Sequence, residues 1–416
     1  MSETKKPICV IIGASHGGVN CATALRKEGW EGDILLFDAD PVLPYHRPPL
    51  CKAYLTSNDG IDKNVLKSAE SYQKEDITLN LGVKVVAIHA KEQTITLEDG
   101  TQQNYDQLVL ATGARPVIPP IEGLATAQNA FPLRTAAHVA SIKKGINASA
   151  TKRVVVIGGG YIGLETAASL KRLGAEVVVL ERESRILARV TAPEMSSFFH
   201  ELHHQNGVEV LTGKNVSAIE NNDASNVVVC TDGSRYPADM IIVGVGILVN
   251  KELAEQAGIK IENGIVVNEK AQTSEANIYA IGDCTYHFNP HYNRFIRLES
   301  VQNAVDQSKI AAAAICGGAS VYDTIPWFWS DQYDVKLQMV GLSQGCTEVV
   351  VRKEDKPNSF SVWYFNEDTL LSVVDAVNNA KAYVLGTKAI KQKIKIDKWK
   401  LFDSTSILKL DTIVAD

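Results

Sequence analysis

The chain has 416 residues, of which 45% are hydrophobic and 22% charged, with a formal net charge of −6. At about 150 residues per domain this length implies two to four domains, and the composition is that of a globular chain rather than a disordered, collagen-like or disulfide-dense one. The acidic balance argues against nucleic acid as a partner, and the longest apolar run, residues 240–249, is about half of the ~20 residues that cross a bilayer.

At the N-terminus, lysines precede a seven-residue apolar stretch that stops at Ser15 and His16 with no cleavage-like site beyond, which is not a signal-peptide pattern. Seven cysteines, an odd number with no CxxC, read as thiols kept reduced in a cytoplasm.

The apolar stretch opens the first of two similar units. Residues 7–40 (PICVIIGASHGGVNCATALRKEGWEGDILLFDAD) pass from a β-branched strand through glycines into an Ala/Leu-rich amphipathic helix and then a second apolar strand. Residues 152–183 (KRVVVIGGGYIGLETAASLKRLGAEVVVLERE) repeat the pattern. Each second strand ends in a carboxylate, Asp38 at 25 residues from Gly13 and Glu181 at 23 residues from Gly158, the spacing of a dinucleotide-binding unit. The leading glycines, Gly13 and Gly158, permit a tight turn off the strand. The third, Gly18 (after Gly17) and Gly163, lets helix and strand pack closely. The middle position, where a pyrophosphate approaches the backbone, is Ser15 in the first unit and Gly160 in the second. The helix N-terminus supplies N–H groups to phosphates, and the acid accepts from a ribose. Two such sites in one chain imply an enzyme that passes electrons between two nucleotide cofactors. Residues 105–116 and 238–246 read as buried strands ending in glycine turns, and residues 273–284 as a strand followed by Gly282 and Asp283.

On these residues the chain resembles the FAD-dependent pyridine-nucleotide oxidoreductases with two dinucleotide folds. Within them it is similar to the NADH-dependent ferredoxin reductases of oxygenase systems, of the putidaredoxin-, rubredoxin- and biphenyl-dioxygenase-reductase type. The broad motifs are the first glycine turn, the Ala111, Thr112, Gly113 triplet, GGGYIGLE and AIGDC. The narrower ones are PYHRPPLCKAY (44–54), RLESVQNAVDQ (297–307) and PWFWSDQY (326–333). The fold implied is α/β, with two Rossmann-like domains of the glutathione-reductase kind and a C-terminal α+β domain containing an antiparallel sheet. Residues 1–113 and 248–320 form the FAD domain, 114–247 the NAD domain and 321–416 the C-terminal domain.

The resemblance also assigns residues. The first turn, with Asp38, holds the ADP half of FAD. Arg47 and Lys52 lie by the flavin, while Val85 and residues 111–113 lie on the adenine and pyrophosphate side. Arg134 reaches back from the second domain, Asp283 (after Gly282) bonds the ribityl chain, Val301 touches the ring and Trp329 stacks on it. The second turn, with Tyr161, Ile162, Glu181 and Gly246, holds NADH. Three positions depart from the family pattern: Cys51 stands where serine is usual, Val249 where proline is, and Asp38–Ala39 where a Gly-Asp or Gly-Glu pair is. The last shifts the expected ribose acid by one residue.

Hydride transfer from nicotinamide needs orientation rather than a general base, so His16, His46, His200, His203 and His204 are expected at the surface or behind the site. No His/Cys/Asp spacing resembles a metal site. Lys52 and Glu165 are expected as a partly buried ion pair, the lysine stabilising reduced-flavin charge and Glu165 fixing the lysine; the alternative is a helix-end charge with a solvated carboxylate. Tyr161 gates the nicotinamide pocket or packs as an ordinary aromatic. Glu181 suits the 2′-hydroxyl of NADH, with Arg182, Arg185 and Arg189 leaving weaker use of NADPH open. Trp327 reads as core.

Two other functions remain. Cys51, beside Lys52 and a helix N-terminus that would lower its pKa, fits a single-cysteine NADH peroxidase or oxidase, or a disulfide reductase. An apoptosis-inducing-factor-like binding protein keeps the same fold without catalysis; the acidic charge and the lack of a transit-like start argue against it. For the main reading, the acceptor is a two-iron two-sulfur ferredoxin or a rubredoxin. Between residues 381 and 409, eight lysines face only Asp397 and Asp403, a local +6 suited to docking an acidic partner.

Overall fold

The computed structural model describes residues 6–221, 225–366 and 370–415. The chain divides into two compact units. One comprises residues up to Arg47, Asp59–Arg115 and Leu248–Pro326; the other comprises Pro48–Asn58, Pro116–Ile247 and the chain from Trp327 on.

In the first unit the strand Ile8–Ile12 lies centrally in a five-stranded parallel sheet ordered 278–280, 107–110, 8–12, 33–38, 77–81. Its side chains alternate between faces as the pleat requires. Cys9 and Ile11 pack with Ala22, Leu25, Ala311 and Ala312 of the helices His16–Lys27 and Val301–Ile315. Val10 and Ile12 pack on the other face with Ile88 and Ile95 of a three-stranded antiparallel sheet. A parallel strand covered on both faces has to be apolar at every position, which accounts for the unbroken apolar run Ile8–Ile12.

The second unit repeats the plan, with parallel strands ordered 209–211, 176–180, 153–157, 240–243, 130–132. It also holds a five-stranded antiparallel sheet ordered 327–332, 335–341, 371–377, 360–365, 348–353. The helix Ala380–Gln392 lies on that sheet so closely that a Cβ at Gly386 would come 2.5 Å from Val374. The architecture is the α/β class with a C-terminal antiparallel sheet expected from sequence. Residues 48–58, which the sequence leaves with the FAD domain, group with the second unit. No helix among the described residues is long and apolar enough to cross a membrane.

Candidate functional site

In the first unit, three loops leave the carboxyl ends of adjacent parallel strands: Gly13–Ser15, residues 111–113, and Gly282 with Asp283. That edge is where open α/β sheets bind ligands. Gly13 has φ +106°, and a Cβ there would lie 2.3 Å from the Ala111 carbonyl oxygen; a Cβ on Gly18 would lie 1.9 Å from that of Gly13. No larger residue fits either position. Gly17 is buried, facing Ile281. Ser15 opens the helix His16–Lys27 without a side-chain cap, and no acid stands in its first turn, where helix N–H groups lack intrahelical partners.

Asp38 Oδ2 accepts the Ala14 amide at 2.6 Å and Oδ1 that of Asp40 at 2.8 Å. Ala39 between them is exposed and contributes backbone alone. The Tyr45 hydroxyl donates to Asp40, the Arg47 guanidinium lies over the Tyr45 ring, and Arg47 Nε donates to Ser15 Oγ at 3.3 Å. Together these residues line a small crevice. Asn250, which the sequence does not single out, clamps the second loop by exchanging hydrogen bonds with Thr112 and donating its amide to Gly113. Gln307 accepts the Gly282 amide at 2.8 Å. Asp283 and Val301 are half-buried at the starts of a short 3-10 turn and of the helix Val301–Ile315, and Val85 is buried in the small sheet. An adenine dinucleotide fits this edge, because the cradle exists only while glycine occupies it.

The second unit holds the matching turn. Gly158 has φ +112°, and a Cβ there would meet the Gly244 carbonyl oxygen at 2.4 Å; one on Gly163 would meet that of Gly158 at 2.1 Å. Glu181 Oε2 accepts the Gly159 amide at 2.7 Å and Oε1 that of Glu183 at 2.8 Å. Gly160 has open space around it, Ile162 is exposed, and Gly246, at φ +120°, accepts the Val117 amide. A second dinucleotide fits here for the same reason. Arg182 is exposed and paired with Glu183, Arg185 is half-buried and held by the carbonyls of Ala188 and Thr191, and Arg189 is exposed. Arg134 is half-buried just beyond the strand Ala130–Pro132.

The same unit contains the Lys52–Glu165 pair, at 2.5 Å, with the glutamate 2% exposed. The solvated-carboxylate alternative therefore fails. Lys52 caps the short helix Ala53–Thr56, and Glu165 lies on the buried face of Tyr161–Arg172. Burial opposes the Lys52 ammonium, but the Glu165 carboxylate beside it outweighs that and its pKa is raised. Glu165 also accepts from Cys51 Sγ at 2.9 Å and from Ser330 Oγ at 2.7 Å. Ser330 was not anticipated, although it lies inside PWFWSDQY on the buried side of its strand.

The surroundings of Cys51 oppose the redox-thiol alternative. Burial and then the Glu165 carboxylate push its thiol well up, against the smaller opposing effect of Lys52. A buried thiol that donates to a carboxylate lacks the electropositive, accessible surroundings that activate a redox cysteine.

The Tyr161 hydroxyl reaches Met339 Sδ at 2.9 Å and its ring lies 5.2 Å from Phe328. Burial and the Asp375 carboxyl raise its pKa, keeping it neutral. Trp329 is half-buried with its ring 5.5 Å from Trp327, which is itself half-buried rather than core. Of the histidines, His46 and His204 are exposed and His200 half-buried, whereas His16 and His203 are buried. In the lysine segment, Lys398 is paired with Glu348 and Lys400 bonds the Val414 carbonyl; Lys381, Lys388, Lys391, Lys393, Lys395 and Lys409 are exposed. Tyr383 packs on Trp327. Lys391 lies eight residues further along this helix, about 12 Å at the α-helical rise.

Residues 8–308 match the pyridine nucleotide-disulphide oxidoreductase family and residues 327–410 the reductase C-terminal domain. The chain belongs to that oxidoreductase family. It is 41% identical to putidaredoxin reductase from Pseudomonas putida over 96% of its own length and 95% of that protein's. Rubredoxin-NAD(+) reductase of the same organism is 34% identical over 87% and 94%. Its fold is similar to the covalent putidaredoxin reductase–putidaredoxin complex, with a TM-score of 0.91 at 39% identity over 96% of each chain.

Proposed function

We propose that the protein is a cytoplasmic flavoprotein reductase that takes hydride from NADH onto FAD and passes electrons singly to a small iron–sulfur protein, a two-iron two-sulfur ferredoxin or a rubredoxin, feeding an oxygenase. The observation that carries this reading is the duplicated, acid-closed glycine turn, one copy in each unit. Similarity over nearly the whole length to reductases named for putidaredoxin and rubredoxin supports it. The seven free cysteines fit a reducing compartment.

Bound FAD supplies the conversion between two-electron and one-electron transfer. The chain's own residues bind and orient. Gly13, Ser15, Gly18 and Asp38 hold the FAD phosphates and ribose, with residues 111–113, Gly282, Asp283 and Val301 along the rest of the cofactor. Gly158, Gly160, Gly163 and Glu181 hold NADH, and the Glu181 carboxylate disfavours a 2′-phosphate. Lys52 places a positive charge toward the flavin and Glu165 fixes that lysine; such a pair costs several kcal/mol per ion to bury, which points to a role. Tyr161 and Trp329 shape the nicotinamide and flavin faces. The exposed lysines of residues 381–409 attract an acidic acceptor.

An acceptor panel tests the reading. With NADH as donor, the holoprotein reduces a two-iron two-sulfur ferredoxin, at a rate that falls as salt rises, and Cys51→Ser leaves that rate intact. Turnover of peroxide or a disulfide instead, abolished by Cys51→Ser, overturns it. Glu165→Ala slows flavin reduction by NADH in rapid mixing; an unchanged rate removes the ion pair from the mechanism.

A further inference from the structure

The second oxygen of Glu165 is held by a row of side chains that the reaction itself does not call for. Ser330 Oγ lies 2.7 Å from Glu165 Oε1, and Gln332 Nε2 lies 3.2 Å from Ser330 Oγ. Gln332 Oε1 meets His203 Nε2 at 2.8 Å, and His203 Nδ1 meets the Tyr333 hydroxyl at 3.2 Å. Glu165, Ser330, Gln332 and His203 are all buried, the last three of them at 0% exposure. Ser330 and Gln332 are two apart on the strand Trp327–Gln332 and so share a face. His203 comes from the helix Pro193–Gln205 and Glu165 from Tyr161–Arg172. Three elements distant in sequence thus meet along one line.

The chemistry of the groups sets the direction of every bond. A carboxylate only accepts, so Ser330 donates to Glu165 and its oxygen is left to accept from the Gln332 amide. That orientation turns the Gln332 carbonyl toward His203, which must then carry its proton on Nε2. His203 Nδ1 therefore accepts, and Tyr333 donates to it. Reversing Gln332 would set its carbonyl against a serine oxygen whose only proton is already used. A neutral imidazole is the form this arrangement needs, and burial lowers the His203 pKa to about 4.

Tyr333 adds an independent observation. It occupies the turn between Trp327–Gln332 and Val335–Gly341 at φ +57°, a left-handed conformation that a bulky residue rarely adopts and glycine takes freely. Such strain persists where surrounding contacts over-determine it. Here the ring packs edge-on against His203, 5.1 Å between centroids, while the hydroxyl reaches the imidazole nitrogen.

We propose that Ser330, Gln332, His203 and Tyr333 form a one-way donor chain that positions Glu165, fixing Oε1 so that Oε2 faces Lys52. The proposal rests on the reading that the Lys52–Glu165 pair acts on the flavin. These four are positioning residues, acting through the carboxylate.

Nitrogen-15 NMR of the imidazoles in the resting holoprotein reads the chain without turnover, with His203 assigned by its loss in His203→Gln. His203 is expected neutral at pH 7 with its proton on Nε2, and Tyr333→Phe, which removes the donor at Nδ1, shifts that nitrogen's resonance. A proton on Nδ1, or a charged ring, overturns the chain. Rapid mixing with NADH reads its purpose. Loss of one hydrogen bond to a buried charge predicts about a 10-fold slower flavin reduction in Ser330→Ala, with the KM for NADH within about 2-fold. Ser330→Thr, which keeps the hydroxyl, restores the rate. Should Ser330→Ala fail to fold, Tyr333→Phe serves, with about a 3-fold slower rate expected. Normal rates in these variants beside a slowed Glu165→Ala overturn this proposal alone. A normal rate in Glu165→Ala overturns the functional reading of the pair, and this proposal with it.

Discussion

The first glycine turn closes with Asp38 and the second with Glu181, and each acid accepts the amide just after the leading glycine, at 2.6 and 2.7 Å, and the amide two residues beyond itself, at 2.8 Å in both. One methylene more or less leaves that arrangement unchanged. The turns differ at their middle position. Ser15 carries a hydrogen bond from Arg47, which in turn lies over Tyr45, whereas Gly160 has nothing within 4 Å of where a Cβ would sit. The first turn is built into its neighbours, as suits a cofactor that stays. The second is bare, as suits a nucleotide that enters and leaves at each turnover.

The largest effect expected from this comparison comes from adding one carbon. Gly13→Ala and Gly158→Ala each place a Cβ within 2.4 Å of a backbone carbonyl oxygen at a φ above +100°, and each is expected to cost more than about 3 kcal/mol. The consequences separate the turns: Gly13→Ala yields protein stripped of flavin absorbance, while Gly158→Ala keeps the flavin and loses reduction by NADH. Gly160→Ala, with open space around it and an ordinary φ of −80°, leaves thermal stability within about 0.5 kcal/mol and raises only the KM for NADH. Flavin retained in Gly13→Ala would break the assignment of the two turns.

A second difference lies in buried titrating groups. His287 of the first unit and His203 of the second are both held to about pKa 4, chiefly by burial. The unfolded chain protonates such a histidine near ~6.5, so as pH falls from there toward 4 the unfolded state binds the proton first and stability is lost, by about 3 kcal/mol for each. Asp375, in the second unit, runs the other way. Burial raises it to about 7, so between that value and the unfolded ~3.9 the native state holds the extra proton, and lowering the pH adds stability. Acidification from pH 7 to 4 should therefore loosen the first unit and nearly spare the second. Hydrogen exchange of the strand Gln107–Leu110 against Leu371–Val377 measures it, and equal loss in both contradicts the account.

The smallest effect concerns the acids themselves. Glu181→Ala is expected to raise kcat/KM for NADPH relative to NADH about 10-fold, whereas Asp38→Asn, in the turn proposed for the flavin, leaves that ratio unchanged.

Both turns were legible in sequence because they are local: strand, glycines, helix and closing acid lie within about 30 residues, and backbone sterics dictate the glycines. The Lys52–Glu165 pair was reached through the family's motifs; its burial belongs to tertiary packing. Ser330 as a partner of Glu165 spans 165 residues, a pairing that no periodicity encodes. Cys51 stayed open between two readings for a related reason. A neighbouring lysine and a helix start are visible in sequence and lower a thiol's pKa, but the burial and the carboxylate that prevail are not. Burial of His16 and His203 and the half-exposure of Trp327 were hidden in the same way. The lysine run was plain in composition. Its spread was not: Tyr383 lies at Trp327, whereas Lys391, Lys393 and Lys395 stand at the other end of that helix and beyond it.

The central claim is that hydride enters as a pair and leaves as single electrons through a chain with no redox thiol. An anaerobic titration tests it most directly: limiting NADH is added to the holoprotein with an excess of oxidised two-iron two-sulfur ferredoxin, and the ferredoxin's visible spectrum is followed to completion. The account predicts two ferredoxins reduced for each NADH consumed, both in the native protein and in Cys51→Ser. NADH consumed with no ferredoxin reduced, or a stoichiometry that collapses when Cys51 is replaced, would contradict it.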